Sequence, residues 1–73
     1  MSQVQKLVFE IPCDVMVDIA KIILKSGLDH RITGADDEKN TIQMQILIPA
    51  DKERAKENIG QIIEDYNFFR YGD

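Results

Sequence analysis

The segment that decides the fold spans residues 7–27 and reads LVFEIPCDVMVDIAKIILKSG. Apolar residues occupy every second position at its start, which is typical of a half-buried strand over residues 4–11. The remainder is apolar at helical spacing and stops at Gly27, a residue suited to a left-handed helix C-cap. The segment therefore predicts a strand followed by a helix over residues 14–26, with the Asp14 carboxylate as its N-cap.

The pattern on either side of this segment completes the fold. Residues 30–35 predict a second strand, and residues 41–48 predict a third, with strict alternation of apolar and polar side chains. Asp51 caps a predicted second helix that runs to Tyr66. Beyond it, the residues allow either a left-handed stop at Asn67 followed by a short strand over residues 68–71, or a helix that continues through them. We favour the strand, with alternate aromatic side chains packed on the core. The order β-α-β-β-α(-β) predicts an α+β, two-layer ferredoxin-like sandwich with an antiparallel sheet in the strand order 4-1-3-2 and both helices on one face.

Composition limits the classes of function. The 73 residues, 44% hydrophobic and 30% charged, suit one small domain over residues 1–73. Thirteen acidic residues against nine basic ones weigh against nucleic acid and anionic membranes as partners. No apolar run approaches the roughly 20 residues of a membrane span. A single cysteine cannot form an internal disulfide, so we predict a cytoplasmic protein.

The first helix carries more apolar surface than one sheet and one neighbouring helix need. Its charged residues form a narrow stripe, and apolar residues fill the remaining arc of about 220° on a helical wheel. A domain this short hides only about 60% of its unfolded surface, so exposed apolar patches favour a partner. We predict a homo-oligomer or a protein partner at one flank of this helix, formed either by Val15 with Ile22 or by Val17 with Leu24.

The sheet offers a second route to association. If the final strand is short or absent, the first strand keeps one edge whose backbone groups are unpaired. Such an edge pairs readily with a copy of itself across a two-fold axis.

Cys13 is the one thiol, and it lies where the first strand meets the first helix, with Met16 three residues later. In topology, length and the position of this loop, the chain resembles the heavy-metal-associated domains, which bind Cu(I) there through Cys-x-x-Cys. That resemblance implies a soft-metal site at Cys13 and Met16, with Met16 in place of the second cysteine. The residues themselves favour a core position for Met16 and an unreactive thiol, and we predict no cofactor.

The chain is also similar to the amino-acid-sensing ACT domains, which bind a small ligand at a dimer interface near a glycine-containing loop. The corresponding loop here, residues 11–14, contains no glycine. We find no acid and base spaced for catalysis and predict no enzyme activity. The sequence favours a small non-enzymatic protein-interaction or regulatory module that self-associates. The alternatives are a soft-metal-binding or thiol-reactive module centred on Cys13, and a small-ligand sensor at a dimer interface.

Overall fold

The computed structural model describes residues 3–71 and forms an α+β two-layer sandwich. An antiparallel sheet makes one layer, and two helices make the other, as the sequence predicts. The elements in chain order are β1 (Val4–Pro12), a 3-10 turn (Cys13–Val15), α1 (Met16–Ser26), β2 (Asp29–Asp36), β3 (Thr41–Pro49), a second 3-10 turn (Ala50–Lys52) and α2 (Glu53–Tyr71).

The third strand is central, and the sheet order is β1-β3-β2. The β1–β3 pairing is regular over its whole length, from Val4 opposite Pro49 to Pro12 opposite Thr41. The β2–β3 pairing is interrupted by a bulge between Ile32 and Gly34. The predicted order of these three strands is therefore confirmed.

The core lies between the sheet and the two helices. It forms because the apolar side chains of β3 recur at every second residue and so share one face of the sheet. From β3, Met44, Ile46 and Ile48 are buried there, and Ile11 joins them from β1. The helices complete this core with their own buried side chains, which are Ile19 and Ile23 from α1 and Ala55 and Ile59 from α2.

The predicted end of the first helix is confirmed, and its predicted start is wrong. Gly27 adopts a left-handed conformation with φ of 66°, and the next amide, of Leu28, donates to the Ile23 carbonyl at 2.9 Å. Asp14 does not cap α1. It lies in the preceding 3-10 turn, and its Oδ2 accepts a hydrogen bond from the Tyr66 hydroxyl at 2.6 Å. A hydrogen bond between the 3-10 turn and α2 thus uses the side chain that the sequence assigned to capping.

The predicted final strand is also wrong. Residues 68–71 continue α2, which extends for 19 residues from Glu53 to Tyr71. The side chains of Phe68 and Phe69 are 69% and 74% exposed, so neither packs on the core as expected. A left-handed stop was expected at Asn67, but Asn40 in the β2–β3 hairpin is the asparagine with positive φ, at 55°. Within residues 3–71 the sheet consequently has three strands, and β1 forms one of its edges.

Candidate functional site

The free edge of β1 presents a regular row of backbone groups. The hydrogen bonds that flank its ladder fix which residues face β3: the Ala50 amide donates to the Gln3 carbonyl, and the Cys13 amide donates to the Asn40 carbonyl. In an antiparallel pair, residues whose backbone N–H and C=O groups bond to the neighbouring strand alternate with residues whose backbone groups point away from that strand. The odd-numbered residues of β1 therefore bond to β3. The amides and carbonyls of the even-numbered residues face outward, namely those of Val4, Lys6, Val8 and Glu10.

The side chains along this edge divide between the two faces of the sheet. Lys6, Val8 and Glu10 are exposed on the face away from the helices, and Val8 has 62% of its surface exposed. Leu7 and Phe9 are half-buried and pack against the core on the helix-covered face. Neither Lys6 nor Glu10 has an ion-pair partner within the part of the chain that the structure describes. The edge thus carries one apolar residue between two opposite, unpaired charges.

The opposite edge of the sheet, on β2, is irregular. Its bulge lies at Thr33, and the Thr33 hydroxyl donates to the Gln43 carbonyl at 3.4 Å. A bulge of this kind bends the strand and increases its twist, which hinders pairing with another strand. Of the two edges, β1 is therefore the better template for a further strand.

Of the two flanks predicted on α1, the structure leaves one exposed. Val15 and Ile22 are half-buried and pack against the core. Val17 and Leu24 are 67% and 77% exposed, and Ile32 of β2, which the sequence did not single out, is 60% exposed. A groove of about 180 Å³ lies between α1 and β2, lined by Met16, Ala20, Ile23, Leu24, His30, Ile32 and Met44.

The structure separates the environments of Cys13 and Met16. Cys13 lies in the 3-10 turn, and its amide completes the end of the β1–β3 ladder. Met16 begins α1 and packs against the core, as the residue pattern favoured. Among the described residues no group of three or more His, Cys, Asp or Glu side chains is arranged to hold a metal ion. The soft-metal site stays a prediction.

A polar cavity of about 230 Å³ lies where β1, the β2–β3 hairpin and α2 meet. Thr41 is only 8% exposed, and its Oγ1 is buried without a hydrogen-bond partner in the described structure. A buried hydroxyl in that state is unfavourable by about 1–3 kcal/mol. The cavity is lined by Glu10, Pro12, Glu38, Lys39, Thr41, Tyr66 and Asn67.

The sequence did not identify Lys6 and Glu10 as site residues, although the signal was present. The alternation of the first strand puts both on its outward face, and they lie four residues apart with opposite charges. The two residues can contribute to an interface only if β1 is an edge strand, and the structure shows that it is one in the described part of the chain. Within residues 3–71, no helix is long and apolar enough to cross a membrane. A comparison with protein-family models, curated proteins and solved structures finds no match to this chain.

Proposed function

We propose that this chain is a small, non-enzymatic protein-interaction module that pairs with a second copy of itself through the free edge of β1. The observation that carries the proposal is the regular edge of a nine-residue strand, which no other strand among residues 3–71 pairs with. An edge of this length is a ready template for another strand. The lone thiol, Cys13, supports the cytoplasm as the place of action, because reducing compartments maintain free thiols.

Domain size supports the same proposal. A small domain buries a small fraction of its unfolded surface, so an interface with a second copy adds burial that one chain cannot provide. Pairing at β1 would extend a three-stranded sheet to a continuous six-stranded one. Leu7 and Phe9, which are half-buried in one chain, would lie at the new junction.

The edge of β1 is a stronger candidate for this pairing than the exposed flank of α1. The edge offers hydrogen-bonding groups in a fixed geometry and two complementary charges. The flank, formed by Val17 and Leu24, offers apolar area alone. Apolar area drives association but specifies neither partner nor orientation.

A proline substitution at Val8 tests the proposal. The Val8 amide faces outward and takes no part in the β1–β3 ladder, so Val8→Pro removes an edge donor while keeping every bond to β3. We expect the wild-type chain to sediment as a dimer in reducing buffer and Val8→Pro to sediment as a folded monomer. Val8→Thr keeps the amide and the branched side chain, and it should remain dimeric.

A substitution on α1 separates the edge from the flank. Leu24→Lys places a charge in the exposed flank and should leave the dimer intact. A wild-type monomer at several hundred micromolar would contradict the proposal. A dimer that persists in Val8→Pro and dissociates in Leu24→Lys would place the interface on α1 instead.

The small-ligand alternative is favoured by one observation: Thr41 lines the polar cavity, and its buried hydroxyl has no hydrogen-bond partner in the described structure. A polar metabolite that bonded this hydroxyl would raise the melting temperature in a thermal-shift screen of amino acids and nucleotides. Thr41→Val removes the hydroxyl at nearly constant shape and should abolish that shift. The same substitution should stabilise the unliganded domain by about 1 kcal/mol, because the buried polar group is gone. If no compound raises the melting temperature, this candidate fails.

A further inference from the structure

We infer that two copies pair β1 against β1 in one register, with the two-fold axis at Val8. This inference rests on the proposed self-association and specifies its geometry. A two-fold axis that extends a sheet makes the two edge strands antiparallel. Because the outward backbone groups belong to even-numbered residues, the paired residues at the junction must both be even-numbered. Near the middle of β1, the axes that satisfy this condition lie at residues 6, 7, 8, 9 and 10.

The charges choose among these registers. With the axis at Val8, Val8 lies opposite the Val8 of the second copy, and Lys6 lies opposite Glu10 on both sides of the axis. Opposite charges placed directly across a strand pair stabilise it, and like charges destabilise it. Two-fold symmetry thus produces two ion pairs from side chains that have no ion-pair partner within the described part of one chain.

The neighbouring registers lack this complementarity. An axis at Lys6 or at Glu10 places identical charges opposite each other. An axis at Leu7 or at Phe9 places a charged side chain opposite valine. Lysine on an edge strand usually discourages pairing with other chains. Here Glu10 of the second copy lies opposite Lys6 when the axis is at Val8, so the charge of the lysine is compensated in that register.

The backbone and the helix-covered face agree with the same register. The Val8 pair and the two pairs of Lys6 with Glu10 would form about six backbone hydrogen bonds across the junction. On the other face, Leu7 of each copy would lie opposite Phe9 of its partner. Cross-strand pairs of aromatic and aliphatic residues are favourable in sheets, and both side chains still have surface to bury.

Charge reversal tests the register by sedimentation equilibrium. Lys6→Glu places two glutamates opposite each other on both sides of the axis, and Glu10→Lys does the same with lysines. We expect each single variant to dimerise more weakly than the wild type by about fourfold to several hundredfold, because two attractive pairs become two repulsive ones. The double variant Lys6→Glu/Glu10→Lys should recover wild-type affinity, because it exchanges the charges without changing their complementarity.

Mixing the two single variants provides an internal control. One chain then carries glutamate at both positions and the other carries lysine at both, so the heterodimer has two complementary pairs. We expect the mixture to form heterodimers at least as tightly as the wild type forms homodimers. Asp29→Lys and Arg31→Glu, on the β2 edge, are matched reversals and should leave the affinity unchanged to within about twofold.

A distance measurement fixes the axis directly. In a Cys13→Ser background, a spin label at Val4→Cys should report Cα positions separated by about 27 Å when the axis is at Val8. An axis at Leu7 would give about 20 Å, and an axis at Phe9 about 33 Å. Either of those distances, or single reversals that leave the dimer unchanged, would overturn the register while leaving self-association standing. A wild-type monomer would overturn both.

Discussion

The two edges of the sheet differ, although both strands pair with β3. The β1–β3 ladder runs without interruption, and its outward groups belong to Val4, Lys6, Val8 and Glu10. The β2 edge is broken by a bulge at Thr33. Bulges are one of the devices by which proteins prevent unwanted pairing at sheet edges. The bulge thus protects one edge through its backbone geometry, whereas the regular edge of β1 is the one that we propose to pair with a second copy.

The largest expected effect comes from a substitution in the core of β3, the strand with which both edge strands pair. Ile46 lies in β3 and is fully buried, so Ile46→Ala should destabilise the domain by about 2–5 kcal/mol. For a domain of this size that is a large part of the free energy of unfolding. Urea unfolding at fixed protein concentration measures the loss.

Leu47 provides the matched control for that substitution. It lies next to Ile46 on the outer face of the sheet and is half-buried. Leu47→Ala should cost clearly less than Ile46→Ala. Equal losses would show that the core does not lie on the face assigned to it.

Deleting Thr33 should make the two edges alike. Without the bulge residue, β2 would pair with β3 in regular register and present a straight edge. Molecules that pair at both edges would assemble beyond the dimer, because each copy then has two open templates. We expect sedimentation velocity to reveal larger species that grow with concentration. A variant that remains folded and stays strictly dimeric would contradict the protective role of the bulge.

Neutral substitutions at the β1 edge should have a smaller effect. Lys6→Gln or Glu10→Gln removes two cross-strand ion pairs from each dimer, and each pair contributes roughly 0.2–1 kcal/mol. We expect the dissociation constant to rise between about twofold and thirtyfold, and the difference from wild type to shrink in high salt. Asp29→Asn on β2 is the control. If that control weakens the dimer as much, the effect is one of net charge and not of the β1 edge.

The sequence predicted the fold well where local signals and packing agree. The alternation in β3 placed Met44, Ile46 and Ile48 on one face because a buried face demands that period. Gly27 marked the end of α1 because no other residue adopts a left-handed conformation as easily. These predictions needed no knowledge of distant parts of the chain.

The errors arose where a distant contact decided the outcome. Asp14 is a good N-cap by type, but its carboxylate accepts a hydrogen bond from Tyr66, 52 residues away. The end of α2 contains aromatic residues that suit a strand as well as a helix, so local propensity could not choose between them. The candidate site depended on that choice, because a fourth strand would have covered the edge of β1. For this reason Lys6 and Glu10 could be placed on a face of the sheet, but not at an open edge.

Hydrogen exchange at high and low protein concentration is the sharpest test of whether β1 pairs with β1 of a second copy. If β1 pairs with β1, the amides of Lys6, Val8 and Glu10 should be protected at high concentration and should exchange faster as the dimer dissociates. The amides of Leu7 and Phe9, which bond to β3, should be protected at both concentrations and serve as the internal control. We expect this alternation of protection along β1. Rapid exchange of the Val8 amide at every concentration, in a chain that dimerises, would contradict it.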